Sequence, residues 1–173
     1  MSARPRATVL TVSDRSARGE RADATGPRLV TRLGELGFDA TLAPPVPDER
    51  EGIAGALRAL AATSALVVTT GGTGFAPRDV TPEATRDVID REAPGLAEEM
   101  RRRTAAAFPR AILSRGIAGT CGACLVVNLP GSPGGALDCL DALADVLPHA
   151  VKVLRGGLRD CADDPPGRAG GAA

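Results

Sequence analysis

The sequence predicts an α/β protein built on a parallel, doubly wound sheet with one antiparallel hairpin element. Three observations carry that expectation. Apolar, β-branched runs alternate with segments of helical periodicity, and parallel strands need crossover helices of that kind. Two of the runs, Ala65 to Thr70 and Cys124 to Leu129, are apolar along nearly their whole length, as strands buried on both faces are. Around Cys121-Gly122, two short strand patterns stand close enough to form a hairpin.

Residues 6–13 (RATVLTVS) read as the first strand, ending at Ser13-Asp14 and followed by a polar loop from Arg15 to Ala24. A helix is expected over 26–38, because Leu29, Val30, Leu33 and Leu36 recur at near-helical spacing, with Pro27 at its start and Gly37 at its end. Residues 39–46 read as the second strand, and Pro47-Asp48 opens a helix through 61. The third strand breaks into Gly71-Gly72-Thr73-Gly74. Thr81-Pro82-Glu83 then reads as a helix start, with Thr81 as N-cap and Pro82 at the first helical position. Further helices are expected to Asp90 and over 94–107, and the segments 114–119 and 123–128 supply the hairpin strands. After Pro130-Gly131-Ser132-Pro133, Ser132 is placed to cap a helix whose Leu137, Leu140, Leu143, Ala144 and Leu147 form a core-facing stripe. LPHAVKVLRG closes the pattern as a C-terminal helix. The domain is placed at 1–161, and the Gly, Pro, Ala and charge of 162–173 are the composition of a disordered tail.

Composition removes several functions. The 173 residues, 43% apolar, suit one domain with one core. A net charge of zero and three Phe without Trp or Tyr argue against nucleic acid as a partner. No apolar run approaches the ~18 residues of a membrane span, and no signal peptide is read, so a cytoplasmic protein without a membrane partner is expected. Lys152 and His149 are the only lysine and histidine, both in the expected C-terminal helix. Serine-histidine catalysis and multi-histidine metal sites are thereby disfavoured, and acid-base or metal work falls to carboxylates. A P-loop is absent, because Gly74 is followed by Phe75-Ala76-Pro77 rather than Lys-Ser/Thr. Cys121 and Cys124 form a single CxxC with no second pair and no nearby histidine, which reads as structural or incidental rather than as zinc or redox chemistry.

Three strand ends carry polar or glycine loops: Ser13-Asp14, Gly71 to Asp79, and Asn128 to Ser132. Ligands of open α/β sheets bind beyond the carboxyl ends of the strands, near a reversal of strand order. Glycines at 71, 72 and 74 let backbone N–H groups approach an anion closely, Thr73 adds a hydroxyl, and a helix start at Thr81 adds a second attractive dipole end. A side chain at Gly72 is therefore expected to fill space needed by a phosphate. The loop also holds Arg78 beside Asp79. Gly71-Gly72-Thr73-Gly74 is not GxGxxG and lies on the third strand, which disfavours a Rossmann oxidoreductase.

TTGGTG, PRDVTPEAT, LSRGIAG and VVNLPGSP, in this order and spacing, resemble the molybdenum-cofactor biosynthesis proteins of the Mog/MoaB type, which include molybdopterin adenylyltransferases and the N-terminal domain of gephyrin. The match covers Ala7 to Gly156. The resemblance implies a three-layer α/β/α sandwich with a mostly parallel sheet and an antiparallel hairpin element, assembled as a homotrimer. It implies adenylylation of molybdopterin by ATP, with release of pyrophosphate. A molybdenum insertase is the implied protein partner. Arg78 to Ala84 is intact, and Pro47-Asp48-Glu49 supplies a second aspartate where active members have one, which favours an enzyme over a binding-only or scaffolding relative. The implied ligand-binding set is Ser13, Asp14, Gly71, Gly72, Thr73, Gly74, Thr81, Ser114, Asn128, Pro130, Gly131 and Ser132. Asp48 and Asp79 are the catalytic candidates and the Mg²⁺ candidates, since magnesium often takes one or two carboxylates together with substrate phosphates. Two alternatives stay open: Asp48 as a helix N-cap, and Asp79 as a salt-bridge partner of Arg78.

Overall fold

Among the described residues, six strands form one sheet: β1 (Arg6–Thr11), β2 (Asp39–Leu42), β3 (Leu66–Thr70), β4 (Arg91–Glu92), β5 (Ala118–Cys121) and β6 (Cys124–Leu129), in the order β2-β1-β3-β6-β5-β4. The structure is a computed structural model that describes residues 3–156. The expected tail at 162–173 and the end of the 1–161 domain lie outside the described residues. Pairings β2-β1, β1-β3 and β3-β6 are parallel, whereas β6-β5 and β5-β4 are antiparallel. The expected mostly parallel sheet with a hairpin element is what forms.

Side-chain alternation sorts the core into two layers. Ala7 and Val9 of β1, Leu66 and Val68 of β3, and Leu125, Val127 and Leu129 of β6 face one side. There they meet α2 (Gly26–Glu35), α5 (Pro94–Ala107), α6 (Pro133–Ala142) and α7 (Leu147–Leu154) through residues such as Leu29, Leu33, Met100, Leu140, Leu143 and Val151. The intervening residues Leu10, Val67, Cys124 and Val126 face α3 (Arg50–Ala61) and α4 (Thr81–Arg86) through Ile53, Leu57, Ala84 and Val88. Period-2 burial on both faces accounts for the continuous apolar runs of β3 and β6.

Several boundaries differ from the sequence-based expectation. The first strand stops at Thr11, and Asp14–Ala17 forms a one-turn helix, α1, inside the expected loop. The segment read as strand 114–119 is shifted: Pro109–Leu113 is a 3-10 turn, and β5 starts at Ala118. Its Pro109 start and Arg101, which donates to the carbonyls of Ser114 (3.3 Å) and Gly116 (3.0 Å), hold residues 109–116 out of the sheet. The helix begun at Pro133 ends at Ala142, short of the expected Leu143, Ala144 and Leu147, because the chain turns there, and the expected C-terminal helix forms as α7. Ser132 occupies the N-cap of α6 as expected, although its hydroxyl accepts no capping hydrogen bond from a backbone N–H. The edge strand β4 was not legible at all, being only two residues long.

Candidate functional site

The strand order reverses between β1 and β3: the chain leaves β1 for β2 on one side and returns to β3 on the other. At this switch point the carboxyl ends of three strands lie in register, Thr11 beside Thr70 and Thr70 beside Leu129. The loops that follow touch one another. Gly71 donates its N–H to Leu129 O at 3.1 Å, Thr70 Oγ1 donates to Pro130 O at 2.7 Å, and Thr25 Oγ1 donates to Gly131 O at 3.1 Å. Gly71 has φ 106°, and a Cβ on it would run into the carbonyl oxygen of Val12, so only glycine fits.

Gly72, at φ 63°, corrects one expectation. A Cβ there would strike the buried Thr81 Oγ1 before anything else and would also lie 3.3 Å from Asp48 Oδ1, so the first cost of a side chain is to the fold. Thr81 is fully buried and is not the N-cap of α4, a place taken by Val80. Its hydroxyl donates to Gly71 O at 2.9 Å and its N–H to Gly72 O at 3.1 Å. The start of α4 is thus closed against the glycine loop and offers Thr81 N–H to no ligand. Gly71 N–H is likewise committed. Among the described residues, the N–H groups of Gly72, Thr73 and Gly74 have no internal acceptor.

The acidic residues form a cluster that the sequence did not foretell in detail. Asp14 N–H donates to Asp48 Oδ2 at 2.9 Å and Asp48 N–H to Asp14 Oδ1 at 3.1 Å. Arg78 grips Asp14 with two hydrogen bonds, Nε to Oδ2 at 2.7 Å and Nη2 to Oδ1 at 2.8 Å. Arg78 therefore pairs across the site with Asp14, and the Arg78–Asp79 salt bridge does not form. Asp48 is also not the N-cap of α3, which is Glu49. The hydrogen bond from Arg78, with the Asp48 N–H adding to it, holds the Asp14 carboxyl below the usual aspartate range. Burial pushes Asp48 the other way, above that range, and the nearby charges of Asp14 and Asp79 add to the rise.

Asp79 accepts from Ala76 N–H at 2.9 Å through Oδ2, and a Cβ on Gly74 would lie 2.9 Å from that oxygen. Asp48 and Asp79 thus flank the Gly72 to Gly74 turn, each with one oxygen held by a backbone N–H and the other without a hydrogen bond among the described residues. Two oxygen donors beside an anion-sized backbone cradle suit magnesium, which takes few protein ligands when phosphates complete its shell. No group of three or more His, Cys, Asp or Glu side chains able to hold a metal occurs among the described residues.

Two clefts border this turn. The first, about 400 Å³, is lined by Ser13, Thr25, Thr70, Gly71, Gly131 and Ser132 among others. The second, about 530 Å³, holds Thr73, Gly74, Ser114, Pro130 and Ser132 beside the apolar Ala107, Phe108 and Leu113. Ser132 lines both. Asn128 lines neither: it is buried, its amide donates to Thr69 Oγ1 (3.0 Å) and Thr85 Oγ1 (2.9 Å), and its carbonyl accepts from Ile117 N–H (3.2 Å). Its role is to tie β6 to β3 and α4 behind the loop.

Sequence reasoning missed Arg115, Glu83 and Asp23. Arg115 donates to the carbonyls of Gly74 (Nε, 2.7 Å) and Asp79 (Nη2) and to the Glu83 carboxylate (Nη1), and its N–H donates to Thr73 O at 2.9 Å. Burial pushes the Glu83 carboxyl up, but the Arg115 hydrogen bond and charge outweigh it and bring it below the usual glutamate range. Asp23 Oδ1 accepts from Thr25 and Gly26 N–H, while Oδ2 accepts from Thr11 Oγ1, which organises the polar loop before α2. The Asp-x-x-Gly-Pro spacing of residues 23–27 was the available signal for it. For Arg115 the signal was its place in the LSRGIAG motif, but nothing local gave its role, since its partners lie 32 to 41 positions away.

N–H groups without an internal acceptor, set between two carboxylates at the switch point, define an α/β protein of the class whose loops beyond the carboxyl ends of the strands carry the site. The particular family follows from comparison: residues 8–149 match the profile described as "Probable molybdopterin binding domain", and the chain belongs to that molybdenum-cofactor biosynthesis family. It is 39% identical over 155 residues to a molybdopterin adenylyltransferase of Helicobacter pylori, with 86% of each chain covered. It is also 40% identical over 149 residues to the Drosophila melanogaster molybdenum cofactor synthesis protein cinnamon, covering 84% of this chain but only 25% of that protein. Among solved structures it is similar to the molybdopterin biosynthesis enzyme MoaB of Thermus thermophilus, at TM-score 0.80 and 49% identity over 88% of this chain and 97% of that one.

Proposed function

We propose that the chain is a molybdopterin adenylyltransferase, joining the terminal phosphate of molybdopterin to the α-phosphorus of ATP with release of pyrophosphate. A new P–O bond forms at the α-phosphorus as the bond to the β-phosphate oxygen breaks, and the electron pair leaves with pyrophosphate. The observation that carries the reading is the placement of Asp48 and Asp79 on either side of a turn whose Gly72, Thr73 and Gly74 N–H groups have no internal acceptor. Such donors can hold phosphate oxygens in line, and positioning with charge stabilisation supplies most of phosphoryl-type transfer. Ser132, common to both clefts, stands where two substrates would meet. The apolar wall of Ala107, Phe108 and Leu113 suits a flat heterocycle. Bound Mg²⁺ would neutralise phosphate charge, with Asp48 and Asp79 as its protein ligands. Ser13, Ser114, Pro130 and Gly131 complete the ligand contacts, while Thr81 and Asn128 hold the loop from behind.

The same reading includes a homotrimer, a cytoplasmic setting and a molybdenum-insertase partner; the matching part is one quarter of one longer relative, which leaves that relative room for further domains. Among the described residues no helix is long and apolar enough to cross a membrane. The test is incubation with molybdopterin, Mg²⁺ and ATP, followed for adenylylated product. The parent should turn over, and Asp79→Ala should be slower by at least about 10²-fold, the scale of one lost electrostatic contact in a transition state. Binding of molybdopterin should survive in the variant. Pterin binding by a parent that yields no product would leave only a binding role.

A further inference from the structure

The glycine turn, the Arg78-Asp79 segment and the first turn of α4 are separate stretches of backbone, and one side chain joins them. The Arg115 guanidinium donates to Gly74 O, to Asp79 O and to the Glu83 carboxylate, while Arg115 N–H donates to Thr73 O. Arg115 is itself braced. Its neighbours on both sides, Ser114 and Gly116, give their carbonyls to Arg101 of α5. Gly116 admits no side chain freely there, because a Cβ would lie 3.0 Å from Asn128 O. A chain of contacts therefore runs from α5 through Arg101 to the 114–116 backbone and through Arg115 to the turn that presents Asp79.

We propose that Arg115 is a positioning residue for adenylyl transfer, acting through Asp79 and the Gly72–Gly74 N–H groups and not on substrate. The inference rests on the adenylyltransferase reading for its kinetic part and on geometry alone for its structural part. The planar fork is what the task requires. Three acceptors on three segments are met by N–H groups in fixed relative directions, which the single ammonium of lysine cannot reproduce. Two of the acceptors are main-chain carbonyls, so the contact sets the path of the backbone itself. The Arg115 guanidinium also lies 6.0 Å from the centre of the exposed Phe75 ring, a cation–π contact at the outer end of its range. Since a reacting phosphate must be held within a fraction of an ångström, loosening the 73–79 backbone lowers turnover before it weakens binding.

The experiment compares the parent with Arg115→Lys and Arg115→Ala by three readouts: amide hydrogen exchange of peptides covering 72–80, adenylylation kinetics, and melting temperature. Both variants should exchange at least tenfold faster in 72–80 with peptides of β1 and β6 unchanged. Turnover number should fall at least tenfold while KM for molybdopterin stays within about threefold, and lysine should not restore the rate although it restores the charge. Guanidinium ion added to Arg115→Ala should recover part of both the protection and the rate. Parental exchange and turnover in Arg115→Ala would overturn the proposal, as would full recovery by lysine. A uniform rise of exchange across the sheet would also overturn it, since Arg115 would then serve global stability. Should the parent itself make no adenylylated product, the functional reading falls, and exchange in 72–80 still decides whether Arg115 holds the loop.

Discussion

Asp48 and Asp14 are hydrogen-bonded neighbours whose proton affinities move in opposite directions. Arg78 favours the charged form of Asp14, whereas burial disfavours that of Asp48. With its folded value raised, Asp48 contributes stability that is present in full below the ordinary aspartate pKa of about 3.9 and is lost as pH rises through the raised value. At pH 7 its charge is carried at a cost to the fold, as is common for groups retained for function. Asp48→Asn keeps an oxygen able to accept from Asp14 N–H and removes that charge. Its melting temperature at pH 7 should equal or exceed that of the parent, and any advantage should vanish below pH ~4. Adenylylation should nevertheless fall by at least about 10²-fold. A clear loss of stability at pH 7 would contradict this account and suit a helix cap, a role that Glu49 already occupies.

At the scale of elements, the β3-α4 connection is rigid because glycine permits contacts that no other residue does. Alanine at Gly72 must adopt φ near 63° and displace the Thr81 hydroxyl from Gly71 O. The left-handed backbone costs roughly 1–2 kcal/mol and the disturbed buried hydrogen bond about 1 more. Gly72→Ala should therefore melt roughly 4–12 °C lower than the parent. Gly122, in the β5-β6 turn, has φ 55° but nothing within 4 Å of a modest side chain, so Gly122→Ala should incur only the backbone part. Calorimetry of the two variants together separates conformational strain from collision, and equal losses would mean that the Thr81 contact is inconsequential.

For the molecule as a whole, the two faces of the sheet are covered by helices, yet apolar side chains remain outside the core. Ile112, which lines neither cleft, is 66% exposed beside Phe108 and Leu113 of the ligand wall. A large apolar side chain so exposed is a mark of contact with another molecule, and at Ile112 it fits the proposed homotrimer. Light scattering at micromolar concentration should give three times the 17.5 kDa chain mass. A stable monomer under those conditions would rule out the trimer. Ile112→Asp should shift the mass towards monomer and make the melting temperature depend on protein concentration.

Periodicity and turn chemistry by themselves determined the α/β class, the β3 and β6 strands, the run of helices and the three loops at the strand ends, because each is a local property of a few consecutive side chains. They also placed Gly71 to Gly74 and Asp79 in one loop, whereas Asp48 joined the candidate site only through the family resemblance. Local signals ran out where long-range contacts decide. The start of the strand expected at 114–119 is held off the sheet by Arg101, and β4 exists only because β5 offers it an edge. Thr81 and Asn128 look like ligand groups in the sequence, yet their hydrogen-bonding capacity is spent inside the fold. Only the tertiary structure decided that Arg78 turns to Asp14, 64 positions away, and that Arg115 clamps the loop carrying Asp79. A guanidinium chooses its acceptors by where the folded backbone brings them, and that geometry is written in the packing of the whole sheet rather than in any stretch of neighbours.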